Sequence, residues 1–422
     1  MSSTPSLSAS STLPGLSTLS NLSTLPAVRL GFIPLVDAAV PIAAAALGLD
    51  RAEGLRLDLV RDVSWSNIRD RLAFRQFDAA HLLGPMAVAS QLGLGSNPYP
   101  VIAPFSLGLG GNAVTLSMRL FEAMQEAADG EDDDEPAAHA RALARVVRQR
   151  AAGGEPPLTF AMTYPFSSHN YEFRFWMAEA GIDPDRDVAM TVVPPPLTVD
   201  ALRSGAIDGF CVNAPWNVGA VEAGVGRIVA VKADISLSSP EKVLGVRPDW
   251  WAENGELGAA LLRALRQAAL WCDGAENRAE LASILARPEY LGGDAASLAS
   301  ILSGDLRVDR DGRRRSLPNY LTFHRGAANR PRPSEALWVY SQMVRWGQVP
   351  LGEDLARRAA SAFRPDLHDA VFGDAASGDA ASGDSRETAL AGELTPDAIK
   401  AYVEGFPIRR QLGDGALSPS RG

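Results

Sequence analysis

At 422 residues, with 46% hydrophobic and 21% charged residues, the chain has the balance of a soluble globular protein and the length for two compact lobes. Its formal net charge of −10 excludes generic nucleic-acid binding, which needs a basic face to displace counterions from phosphate. Any anion site must therefore be a locally positive spot in a negative molecule.

In chain order, residues 1–27 come first. A secretory signal needs basic residues ahead of an uninterrupted apolar run of about 7–15 residues. Residues 1–27 hold no Lys or Arg and are interrupted every few positions by Ser, Thr, Pro or Asn, so they read as a disordered tail on a cytoplasmic protein. No later window offers the ~18 uninterrupted apolar residues of a membrane span. The ordered part opens with VRLGFIPLVDAAVPIAAAALGLDRAEGLRLDLV, an apolar run, an Ala-rich amphipathic stretch, a Gly and a second alternating run. That is the strand, helix, strand unit of a parallel sheet.

SWSNIRDRLAFRQ predicts a helix capped by Ser64 or Ser66, and FDAAHLLGPM runs from a strand into a loop with His81 and Leu82 just past the strand. PVIAPFSL and NAVTLSM add strands, completing residues 28–118 of a first lobe. Residues 119–157 change character to an acidic, Pro-containing loop and a basic helix, which reads as an insertion between lobes. A second strand and helix series over 158–242 predicts lobe 2, and 243–366 returns to lobe 1 with helices that cover it. Residues 367–393 contain the tandem GDAASGDAASG and read as a flexible segment, and 394–422 as a C-terminal helix, TPDAIKAYVEGF, with a tail. The fold class is α/β, two lobes with a cleft between them and additional C-terminal helices. Such sheets bind ligands outside the carboxyl ends of their strands, so functional residues are sought in the loops that follow strands.

Three loops carry candidates. SLGLGGNAV brings Gly110 and Gly111 together beside Asn112. Glycine permits the close backbone approach that amide donors to an oxyanion require, although a Gly cluster alone reads first as a plain turn. In TYPFSSHNYEFRFWM, Ser167, Ser168 and His169 stand where a strand-end loop enters a helix, whose first amides and dipole favour an anion; the alternative is a simple N-cap with an exposed histidine. Lys242, ahead of the apolar run VLGV, is either a cation near the crossover between lobes or a solvated loop residue. Arg69, Arg174 and Arg247 lie in amphipathic or polar stretches that favour structural roles.

Enzyme signatures are missing: there is no GxSxG, HExxH, Walker loop or dinucleotide fingerprint after the first strand. The run of carboxylates from Glu131 to Glu135 reads as a solvated loop. Cys211 and Cys272 sit in apolar stretches with no CxxC pair and no metal-ligand spacing, and read as buried reduced thiols. Neither a cofactor nor a metal is expected.

The stretches LGFIPLVDAAVP, SWSNIRD, FDAAHLLGPM, TYPFSSHNYEFRFWMAEAGIDPDRDV, VVPPPLTVDALRSGAIDGFCVNAPWN and EKVLGVRPDWW resemble the nitrate/bicarbonate-binding branch of the ABC-transporter substrate-binding proteins. They cover most of residues 29–251. The resemblance implies a type II periplasmic-binding-protein-like fold with the anion in the cleft. It implies His169 as a donor to the ligand, Lys242 as the countercharge to nitrate and Pro195 as a lining residue. Bicarbonate-binding relatives have an acid at the lysine position, so Lys242 favours nitrate or nitrite. Where nitrate-transport relatives carry a Trp and flanking Gln in a first-lobe loop, this chain has Leu82 and His81, and a pocket Gln is replaced near Gly110. The thiamine-pyrimidine synthases share the fold but carry a Cys-rich motif that two isolated cysteines do not match.

A transport receptor needs an export signal, and residues 1–27 do not read as one. The cytoplasmic branch that the chain then resembles is the NasS-type nitrate/nitrite sensors, which hold an ANTAR-domain RNA-binding antiterminator inactive until the anion arrives. The expected partners are thus nitrate or nitrite and an ANTAR-domain protein, with no direct nucleic-acid or membrane contact. The alternative is the periplasmic nitrate-binding component of an ABC transporter.

Overall fold

The computed structural model describes residues 25–95, 99–128, 135–235, 241–373 and 396–411. The tail proposed for 1–27 and the linker proposed for 367–393 fall mostly outside these residues, as do Glu131 to Asp134 of the acidic run. Two five-stranded sheets organise the molecule. The first has the order β2-β1-β3-β11-β4, built from β1 (Ala27–Phe32), β2 (Arg56–Arg61), β3 (Ala79–Leu83), β4 (Ile102–Ser106) and β11 (Lys242–Val246). The second has the order β10-β6-β9-β7-β8, from β6 (Asn112–Ser117), β7 (Thr159–Met162), β8 (Ala189–Val192), β9 (Gly209–Asn213) and β10 (Gly226–Val231). In each, four strands run in one direction and a single strand, β11 in the first sheet and β6 in the second, runs against its two neighbours. The short β5 (Leu109–Gly110) precedes β6 where the chain passes from one sheet to the other, and it pairs with Leu321–Thr322.

Two sequence expectations change. NAVTLSM, expected in lobe 1, is β6 of the second sheet, paired with β9 and β10. The basic helix, Pro136–Ala152, is no insertion between lobes: Leu143, Val146 and Val147 pack with Phe160 and Phe173 into the core of the second sheet. The arginines make this helix look polar in sequence, but its buried Ala, Leu and Val positions decide where it sits. The remaining helices behave as their patterns require. Gly255–Asp273 buries Leu261, Leu265, Ala268, Ala269 and Cys272 on one side, at helical spacing, against the first lobe. Pro333–Arg345 packs over the other face of that sheet. Cys211 and Cys272 are both free, buried thiols. Among the described residues no helix is long and apolar enough to cross a membrane.

The lobes touch across the cleft. Val36 N–H donates to the Ala214 carbonyl at 2.8 Å, Trp216 Nε1 to the Pro34 carbonyl at 3.1 Å, and Arg69 Nη1 to the Tyr164 hydroxyl at 2.7 Å. The residues between these contacts are closed off from water, and what lies there is charged.

Candidate functional site

The first-lobe half of the site follows from strand register. β11 pairs antiparallel with β3, Lys242 opposite Leu83 and Leu244 opposite His81. Residues directly opposite share a face, and so do positions two apart, which puts Lys242 and His81 on one face and Leu82 on the other. Both reach Asp37, in the turn Val36–Ala38 that follows β1: Lys242 Nζ lies 2.7 Å from Asp37 Oδ2, and His81 Nε2 lies 3.0 Å from Asp37 Oδ1. Ile33 N–H donates to His81 Nδ1 at 3.5 Å, which leaves the imidazole proton on Nε2, facing the carboxylate.

The second-lobe half is built on the helix Ser168–Glu179, which starts just past the carboxyl end of β7. Ser167 is its N-cap, accepting from Asn170 N–H at 3.1 Å, so the capping reading holds for Ser167. Ser168, His169 and, one turn on, Glu172 project from a single side. Asn112 opens β6, opposite Asn213 in β9, and Lys232 follows β10.

Glu241 joins the halves. Its Oε1 accepts from Asn112 Nδ2 at 2.6 Å and Lys232 Nζ at 2.5 Å, and its Oε2 from Ser168 Oγ and Lys242 Nζ, both at 3.1 Å. Lys232 also pairs with Glu172 Oε1 at 3.2 Å, and Asn112 Nδ2 donates to Glu172 Oε2 at 2.9 Å. Every one of these side chains is buried.

Burial opposes ionisation of Glu241, but Lys232 and Lys242 outweigh it and hold the carboxyl well below its ordinary range. Burial likewise opposes the charge on Asp37, and Lys242 with His81 overcomes it. Burial disfavours the ammonium of each lysine, yet Asp37 and Glu241 raise Lys242, and Glu172 and Glu241 raise Lys232. Burial, reinforced by Lys242, lowers His169 to about 3, and burial also lowers His81 despite Asp37. Both imidazoles are therefore neutral at physiological pH. Among the described residues no group of three or more His, Cys, Asp and Glu could hold a metal ion.

His169 stands apart from this saturated network. Its Nδ1 lies 2.9 Å from Thr163 Oγ1, while Nε2 is wholly buried with no hydrogen-bond partner. A buried polar atom left unpaired costs about 1–3 kcal/mol, so such atoms call for an explanation. With the Thr163 hydroxyl donating to Nδ1, the proton of the neutral ring lies on Nε2, a buried donor with no acceptor.

The structure thus brings Lys242, His169 and Asn112 together and separates the other expected residues from them. His81 lies within β3 rather than past its end, and both of its ring nitrogens are engaged, one with Ile33 N–H and one with Asp37. Leu82, on the opposite face of the strand, belongs to the apolar core. Gly110 and Gly111 do not form an amide nest: Gly111 N–H donates to the Tyr320 carbonyl at 2.7 Å, and a Cβ at Gly110, at φ +88°, would stand 2.1 Å from that oxygen. These glycines admit a neighbouring backbone, the plain-turn alternative. Pro195 opens a short turn after the edge strand β8, and its carbonyl accepts from Thr198 Oγ1 at 2.9 Å. Arg174 and Arg247 have structural partners, Arg174 pairing with Asp185 and Arg247 donating to the Leu72 and Phe77 carbonyls.

Asp37, Glu172, Lys232 and Glu241 escaped sequence reading. A usable signal existed for two of them: Asp37 in FIPLVDAAVP is a single charge inside an apolar run and Lys232 directly follows the apolar run IVAV, and a charge forced inside needs a partner.

Comparison with known proteins gives the chain's family and fold. The NMT1-like family matches residues 23–286. The chain is 31% identical over 397 residues to the nitrate/nitrite binding protein NrtA of Synechococcus elongatus, covering 90% of this chain and 86% of that one. It is 32% identical over 386 residues to the nitrate import ATP-binding protein NrtC of Synechocystis sp., covering 91% of this chain but only 55% of that protein's length. The crystal structure of the periplasmic nitrate-binding protein NrtA from Synechocystis PCC 6803 superposes with a TM-score of 0.78 at 24% identity, over 91% of this chain and 99% of that one, which establishes the periplasmic-binding-protein fold.

Proposed function

The chain belongs to the NMT1-like family, and on that premise we propose that it binds nitrate or nitrite between its lobes and reports the anion rather than delivering it. It is a binding protein and not an enzyme. The observation that carries the anion reading is His169 Nε2, a wholly buried unpaired group at a helix N-terminus, beside two lysines, a serine hydroxyl and an asparagine amide. Nitrate has three oxygens that accept and no proton to donate, and this donor set suits it. An opposite charge at ~4 Å contributes roughly 4 kcal/mol at an effective dielectric of ~20 before desolvation, which makes the lysines the strongest attraction.

The sensor role rests on the resemblance to the NasS-type branch. On this reading the protein is cytoplasmic, holds an ANTAR-domain antiterminator when empty, and releases it when the anion fills the cleft. Such coupling requires anion and partner to favour different lobe arrangements, since a ligand shifts an equilibrium only by its differential affinity. Lys242→Glu should abolish nitrate-dependent thermal stabilisation and leave partner capture constitutive; a variant that still binds nitrate normally sinks the site assignment. A pull-down from nitrate-starved cells should recover an ANTAR-domain protein that added nitrate releases.

The second reading, a nitrate-binding transport component, is favoured by the names of the relatives, which belong to import systems. Cell fractionation separates the two. A periplasmic form with a trimmed N-terminus supports transport, and a cytoplasmic full-length form supports sensing.

A further inference from the structure

The Glu241 carboxylate has two oxygens with about four lone-pair positions, and each oxygen takes two donors here: Asn112 and Lys232 on one, Ser168 and Lys242 on the other. That is the coordination of a bound anion, supplied by the protein to itself. The donors come from both lobes: Lys242 from β11 of the first sheet, and Asn112, Ser168 and Lys232 from β6, the helix Ser168–Glu179 and the end of β10. One carboxylate therefore ties the lobes together where a ligand would.

We propose that Glu241 is a tethered anion: its carboxylate holds the ligand's place in the closed cleft, and an external planar oxyanion binds only by displacing it from Asn112, Ser168, Lys232 and Lys242. The inference rests on the anion-binding reading above and deepens it. Two observations favour displacement over simple addition. Three carboxyl groups, Asp37, Glu172 and Glu241, already face two lysines, so an added anion would find every ammonium engaged and carboxylates as its neighbours. The tethered carboxylate also leaves His169 Nε2 unpaired, whereas an anion with three oxygens supplies the missing acceptor. Exchange thus replaces a two-oxygen anion by a three-oxygen one at nearly constant charge, and the freed Glu241 side chain carries the event to the surface of the cleft.

The titratable groups around Glu241 on the surrounding elements are Lys232, Glu172, Lys242, His169, Cys211, Tyr320 and, through Lys242, Asp37 and His81. Displacing Glu241 removes a carboxylate from beside both lysines. An oxyanion that donates a proton, such as bicarbonate, could instead hydrogen-bond to Glu241 in place. Glu241 is then a specificity determinant, favouring protonated oxyanions when it stays and proton-free ones when it leaves.

The test is calorimetric titration of the full-length protein and of Glu241→Gln with nitrate, nitrite and bicarbonate, joined by titration of Glu241→Ala with acetate. Nitrate should bind Glu241→Gln about tenfold or more tightly than wild type, the factor by which a place-holder filling the site nine times in ten weakens a competitor. Acetate should bind Glu241→Ala, or restore its melting temperature where the variant is destabilised, and should leave wild type unaffected. If wild type binds nitrate and Glu241→Gln binds it no more tightly, or if Glu241→Ala ignores acetate, the tethered-anion inference is overturned. If Glu241→Ala takes acetate while none of the proteins binds nitrate or nitrite, the inference stands and the nitrate reading falls.

Discussion

Two of the places where the described residues bury cations do so by opposite means. In the cleft, Lys232 and Lys242 are neutralised by carboxylates. Under the C-terminal helix Pro396–Glu404, Arg345 is wholly buried and has no carboxylate within ion-pair distance among the described residues. Its guanidinium lies between aromatic rings, 3.7 Å from the centroid of Phe406, 4.7 Å from Trp346 and 5.3 Å from Phe175, and Nε donates to the Ile408 carbonyl at 3.2 Å. Burial lowers it to about 10, so it stays charged. Ring faces and a backbone carbonyl cannot be exchanged for a solute, and they suit a permanent brace. Carboxylates on lysines can be replaced by another anion, and they suit a site.

The Arg345 brace has a second part. Arg410 pairs with Asp183 and Asp185 of the second lobe, and its amide donates to the Arg345 carbonyl at 2.8 Å. Residues 396–411 therefore strap the Pro333–Arg345 helix to the second lobe, outside the cleft.

Removing a cation should separate the two regions most sharply. Lys242→Met leaves Asp37 with the neutral His81 alone and takes one of two lysines from Glu241, and the loss of one member of a buried pair costs about 3–5 kcal/mol. Urea unfolding should record that loss, and a cost under about 1 kcal/mol would contradict a closed charged cluster. Arg345→Met strands no carboxylate. It should cost about 2 kcal/mol, the scale of desolvated cation–π contacts, and raise hydrogen exchange in residues 396–411 without weakening anion binding.

A pH series sharpens the comparison further. His169 is buried neutral at about 3 against an ordinary 6.5, so between those values the unfolded chain binds the proton first and stability falls as pH drops. Replacing it, as His169→Gln, should flatten the slope by up to about 1.4 kcal/mol per pH unit in that window. Asp37 and Glu241 are depressed acids, so their contribution is complete above their ordinary values of 3.8 and 4.5 and is lost only on further acidification. The smallest effect belongs to the rim of the cleft. Tyr164→Phe deletes the partly buried hydrogen bond to Arg69 and should cost about 1 kcal/mol or less by thermal melting.

The sequence revealed much of the fold because its signals are local. The strand, helix, strand pattern after residue 27, the cap at Ser64 and the long helices beyond residue 254 each follow from spacing. Assigning strands to lobes failed at β6, since which sheet a strand joins is decided by partners distant in the chain, here Asn112 against Asn213. The site divides in the same way. Ser168 and His169 were visible from their place at a helix entrance, whereas Glu241 looks like ordinary surface charge beside Lys242 until two lobes close around it. Leu82 and His81 were grouped by adjacency, and the alternation of a strand sends them to opposite faces.

The most direct test of the account is a crystal structure of the full-length protein grown with saturating nitrate. The account expects the anion within hydrogen-bond distance of Lys242 Nζ and His169 Nε2, with the Glu241 carboxylate turned away from Asn112 and Ser168. Nitrate bound elsewhere, or a cleft in which Glu241 keeps all four donors, would contradict it.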